Sequence, residues 1–127
     1  MITSIFAALL GLLFIKLSIN TIKLRKKNRV IVGDGGHTAL SKAMRAHGNF
    51  AEYTPFALVL IYLVEQNYVG NTWLVIILGS LLFLGRIIHA CGISQVKENF
   101  RFRVVGMGLT FSVLLTACAV LLVKPFL

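Results

Sequence analysis

Carboxylates are scarce in this chain. Four Asp and Glu stand against thirteen Lys and Arg in 127 residues, and charged side chains of either sign make up only 13%. Soluble domains carry about a quarter charged residues, so too few are present here to cover a water-facing surface. With two prolines, two cysteines and no repeat, a collagen-like chain and a disulfide-stapled scaffold are excluded. A 57% hydrophobic composition excludes disorder. What is abundant is long apolar sequence and positive charge. A net charge of +9 would point to nucleic acid in a soluble protein. In a membrane protein it reports which loops face the cytoplasm. The chain reads as an integral membrane protein with no nucleic-acid partner.

Uncharged stretches run over 1–15, 66–85 and 104–123, and a shorter one covers 53–64. A helical span needs about 20 mainly apolar residues. The sequence therefore predicts an all-α membrane bundle of four transmembrane helices near 2–24, 39–66, 72–92 and 103–123. Together they form one domain over 1–127. The first helix has no preceding basic residue and a basic cluster after it, so it reads as an anchor and not as a cleavable signal peptide. Loop one carries Lys23, Arg25, Lys26, Lys27 and Arg29. Loop three carries Lys97, Arg101 and Arg103 against Glu98, and the middle loop has no charge. The positive-inside rule then puts loops one and three in the cytoplasm and both termini on the far side. The same basics suit anionic membrane lipid. Cys91 and Cys118 fall at opposite ends of their spans, about 20 Å apart, too far for a disulfide.

Polar residues inside the spans carry the functional information, because a charge there is costly and is usually paired or set in a wet cavity. Helix two places Arg45, Asn49 and Glu52 at i, i+4 and i+7 on one face. Pro55 follows and predicts a bend. Helix three adds Arg86 and His89, and helix one adds Lys16. Counted from the far ends of their helices, Lys16, Glu52 and Arg86 all lie about 21 Å deep. This predicts a polar funnel with Glu52 at its floor, paired with Lys16 or Arg86, and with Arg45, Arg103 and the loop basics at its mouth. The plainer alternatives are a snorkelling Lys16, an Arg86 that only supports Glu52, and a packing His89. Gly33-Asp34-Gly35-Gly36 reads as a tight turn with Thr38 as N-cap. It lacks the context of a phosphate loop. The three histidines show no metal-ligand spacing.

The run Arg45-Ala46-His47-Gly48-Asn49-Phe50-Ala51-Glu52-Tyr53-Thr54-Pro55 resembles the R-x-x-x-N-x-x-E-x-x-P signature of the MAPEG family, the membrane-associated proteins of eicosanoid and glutathione metabolism. Four spans, the Lys23–Lys27 exit and Gly85-Arg86-x-x-His89 extend the likeness, and the chain looks most like small bacterial inner-membrane members. The resemblance implies a homotrimer that binds glutathione between subunits and conjugates its thiolate to lipophilic electrophiles. It puts Arg45, Asn49, Glu52 and Tyr53 on glutathione, and His47, Lys23 and Arg25 in reach across the interface. His89 and Arg86 belong to the helix-three side of the cleft. Arg103, with Arg101 as second choice, would stabilise the thiolate. Ile93 stands where members often have tyrosine, so binding is better supported than turnover. Two other readings compete. One is a non-catalytic protein of the same fold. The other is a four-helix transporter, whose membrane carboxylate would be expected in helix one and not at Glu52.

Overall fold

The computed structural model describes residues 1–68, 71–94, 97 and 99–124. Glu98 and the centre of the middle loop, residues 69–70, lie outside the described residues. Four helices follow one another: α1 Thr3–Asn28, α2 Thr38–Asn67, α3 Thr72–Ser94 and α4 Phe100–Val123. No strand occurs among the described residues. Three helices, α1, α3 and α4, are long and apolar enough to cross a membrane.

α2 falls short of that standard because polar residues occupy its first half, yet packing carries it along the full height of the bundle. Near one end its Glu65 carboxylate accepts the backbone N–H groups of Ile2 and Thr3. Nearer the other, His47 shares a 3.0 Å hydrogen bond with Ser18. The Glu65 contact places an anion on the otherwise unsatisfied N–H groups that open α1. The helix continues through Pro55.

The helix ends depart from the sequence reading on the basic side. α1 runs on to Asn28 because Arg25, Lys26 and Lys27 fill its last turn, where the helix dipole favours cations. Arg29 then ends the helix in the left-handed conformation, its N–H bonded back to the carbonyls of Arg25 and Lys26. In the following turn Asp34 accepts the Gly36 N–H at 2.9 Å. That bond first, and the Ser41 hydroxyl next, hold the Asp34 carboxyl below its ordinary pKa. His37, not Thr38, takes the N-cap position of α2, with no side-chain cap bond. The chain has already turned at Asp34, whose carbonyl takes the His37 N–H at 2.9 Å. α4 begins early, at Phe100, because Asn99 accepts the Phe102 N–H at 3.3 Å.

α2 and α3 form the centre, with α1 packed on one side of them and α4 on the other. The core joins Leu10 and Leu17 to Phe50, Ile61 and Val64 of α2, Leu78 and Leu82 of α3, and Val113 and Ala117 of α4. The closest approach is between α3 and α4. A Cβ on Gly106 would lie 2.6 Å from the Gly85 carbonyl oxygen and 2.7 Å from the His89 backbone nitrogen. Small residues let two backbones meet where lipid gives no hydrophobic drive between helices. Outside, Ile15, Phe56, Leu115 and Leu122 stand exposed, as a bilayer solvent permits.

Candidate functional site

Three helices bring polar groups together in the half of the bundle nearer the basic loops. Arg86, only 2% exposed, donates to Asn49 Oδ1 at 2.8 Å and to the Met107 sulfur at 3.2 Å. Its guanidinium carbon lies 6.0 Å from the centre of the Tyr53 ring. Tyr53 is itself held edge-on against Phe111 at 5.7 Å. The buried cation is thus met by an amide, a thioether and a π face, all neutral. Arg86 Nε finds no partner among the described residues.

One turn nearer the basic end sits His89, buried, with neither ring nitrogen hydrogen-bonded among the described residues. It is within electrostatic range of Arg86 and Arg103. Beyond it, Ser41, Lys42 and Arg45 of α2, Ile93 of α3 and Arg103 of α4 surround a cavity of about 270 Å³. Three cations around one cavity, with a fourth buried among neutral partners below, favour a small anion.

Several residues expected in the funnel belong elsewhere in the chain. Glu52 is not its floor. It is exposed and has no hydrogen bond or ion pair with Lys16, Arg86 or any other described residue. The spacing explains this. Glu52 is three residues past Asn49 and therefore about 60° around the helix from it, which is enough to turn it outward while Asn49 faces α3. Lys16 is exposed on α1, facing a groove against α3 that also holds Lys23. Arg25 donates to the carbonyls of Ile31 and Gly33, at 3.2 and 2.9 Å, and to the Met44 sulfur at 3.4 Å. It therefore fastens the first loop to α2.

His47 faces α1, where it stacks on Phe14 at 4.8 Å, away from the Asn49 side of α2. Within one chain, then, His47, Lys23, Arg25 and Glu52 do not meet Arg45. The two helix-four candidates separate: Arg103 lines the cavity, whereas Arg101 is exposed and does not.

Sequence reasoning missed Met107 and Glu65. Met107 lies four residues after Arg103, on the same face of α4, and that spacing was the available signal. Glu65 gave no local signal, because its partners are 62 and 63 residues away.

Comparison with known proteins agrees with a membrane protein of this family resemblance. The chain is 41% identical over 115 residues to the inner membrane protein YecN of Escherichia coli strain K12, and equally so to YecN of strain O6:H1. The match covers 91% of this chain and 86% of each relative. No solved structure matches significantly. The family model for MAPEG matches residues 3–123, so this four-helix membrane protein belongs to the MAPEG family.

Proposed function

We propose that this chain binds glutathione and transfers its thiolate to lipophilic electrophiles, working as a homotrimer in a bacterial inner membrane. The observation that carries this reading is the cavity between α2, α3 and α4, where Lys42, Arg45 and Arg103 meet above the buried Arg86–Asn49 pair. A tripeptide with two carboxylates and one amine needs several cations and one acid. Glu52 is the acid assigned to that amine, exposed outside the cavity and with no partner among the described residues. The relatives' name gives the inner membrane as location and no chemistry.

In this reading Arg45 takes a glutathione carboxylate and Asn49 a peptide group. Glu52 takes the γ-glutamyl amine, and Tyr53 packs beside the ligand. His89 and Arg86 form the inner wall. His47, Lys23 and Arg25 belong to a neighbouring subunit's contribution, which fits their distance from Arg45 within one chain. A cysteine thiol has a pKa near 8.5 and is mostly protonated at neutral pH. Arg103 favours the thiolate, and its proton passes to water. The thiolate then forms a carbon–sulfur bond with the electrophile as a leaving group departs.

Ile93 favours a second reading, binding without turnover. It lines the cavity where many members have tyrosine. A thermal-shift titration of detergent-purified protein with glutathione tests binding, and conjugation to a chloro-nitroaromatic, with release of chloride, tests turnover. A saturable shift with no conjugate selects the second reading, and no shift rejects both.

A further inference from the structure

The loop between α1 and α2 carries the two most exposed large apolar side chains among the described residues, Ile31 at 91% and Val32 at 86%. The path of that loop is fixed. Arg29, Gly33, Gly35 and Gly36 all take positive φ, which few side chains tolerate. The Val30 N–H bonds back to the Arg25 carbonyl at 3.0 Å, and the Arg25 guanidinium holds the carbonyls of Ile31 and Gly33. Val30 turns inward, so that a Cβ on Gly35 would lie 2.7 Å from its Cγ2. Ile31 and Val32 are left facing outward. Depth follows from the length of α1. Its 26 residues span about 39 Å, against about 30 Å of hydrocarbon, so its last turn stands among the headgroups. Arg25, three residues before the end of α1 and also bonded to the Met44 sulfur of α2, folds the loop back beside that turn. The tip therefore lies level with the membrane surface. Lys26, Lys27 and Arg29 stand exposed beside it.

We infer that this tip is a foot set into an anionic lipid surface. Ile31 and Val32 enter the boundary between headgroups and acyl chains, while Lys26, Lys27 and Arg29 meet the phosphates. Apolar side chains flanked by cations are what an interfacial segment uses to hold such a surface. Size favours lipid over protein. Two side chains fall far short of the roughly 800 Å² per partner that a stable protein interface takes. The residues of the foot are not those assigned above to glutathione. Arg25 enters only through the carbonyls it holds, so the inference is independent of that function.

Tryptophan quenching in the full-length chain tests it without glutathione. Ile31→Trp in a Trp73→Phe background makes the tip the only indole. The protein is reconstituted into vesicles of equal parts phosphatidylglycerol and phosphatidylcholine, brominated on their acyl chains. The lipid bromine should quench the tip, and acrylamide should reach it less readily than it reaches a free tryptophan amide. Val32→Trp should behave alike. Lys26→Gln with Lys27→Gln should lower the insertion equilibrium about fivefold for each charge removed, seen as weaker bromine quenching and easier acrylamide access. Full acrylamide access at both tip positions overturns the inference, because the tip is then in water. Shielding from acrylamide without bromine quenching also overturns it, since protein, such as a second copy of the chain, then covers the tip. So does bromine quenching that is unchanged by loss of both lysines, or equally strong in phosphatidylcholine alone.

Discussion

Arg86 gives its guanidinium to the neutral amide of Asn49 at 2.8 Å, while Glu52, one turn further along α2, has no partner among the described residues. The buried cation and the nearest acid of the bundle are thus kept apart. An ion pair between them would use up both charges. Leaving them separate keeps a cation inside and an acid at the surface for a ligand to meet.

Asn49→Leu removes the one oxygen that Arg86 is seen to bond. The guanidinium then keeps only the Met107 sulfur and the Tyr53 face, and the fold should lose about 2–4 kcal/mol. Adding Arg86→Met replaces the stranded cation by an apolar side chain of similar length and should restore most of the loss. Thermal unfolding in detergent measures both. Equal melting of wild type and Asn49→Leu would contradict the pairing.

Glu52→Gln should leave unfolding of the ligand-free chain unchanged, because the carboxylate has no partner among the described residues. It should shrink the thermal shift that glutathione produces. Equal shifts in wild type and variant would remove Glu52 from the ligand site.

Arg103→Ala should lower thiolate formation on bound glutathione while leaving most of the binding intact, seen by stopped-flow absorbance at the ultraviolet edge. Arg101→Ala should behave as wild type, since Arg101 stands outside the cavity. An unchanged thiolate signal in Arg103→Ala would rule that residue out as the activator.

Ile93→Tyr places a phenol at the cavity wall. The cavity beside it accommodates part of the added volume, so the stability cost should stay within about 1–3 kcal/mol. If the missing phenol limits turnover, chloro-nitroaromatic conjugation should rise above wild type at unchanged glutathione affinity. No rise would mean that turnover is limited elsewhere.

Gly106→Ala forces a methyl group onto the Gly85 carbonyl and the His89 backbone, and should cost about 1–3 kcal/mol. Gly108→Ala, two residues on, meets nothing within 4 Å. There the gain in helix propensity should make it neutral or slightly stabilising, by up to about 1 kcal/mol. Melting curves that rank the two variants the other way would overturn the close α3–α4 approach.

Helix two shows how far the sequence could be read. Its i, i+4, i+7 spacing placed Arg45, Asn49 and Glu52 on one broad face, and that much holds. A face is wide, however. Sixty degrees separates a residue that looks into α3 from one that looks outward, and spacing alone does not say where the neighbouring helix lies. The pairing of Arg86 with Asn49 instead of Glu52 turns on that angle. His47 and Arg25 were legible as polar residues near the motif, but their partners Ser18, Phe14 and the loop carbonyls come from packing.

Composition and hydropathy by themselves determined the class, four helices in a membrane, because few polar residues can be spared when water is not the solvent. The motif on helix two determined the family. Tertiary structure decided the rest. It gave α2 its full height in the bundle despite its polar half, through Glu65 on the start of α1. It also chose Arg103 over Arg101 at the cavity and left Glu52 free of Arg86. These are matters of which side chains meet across helices, and contacts between residues tens of positions apart leave no periodic trace in the chain.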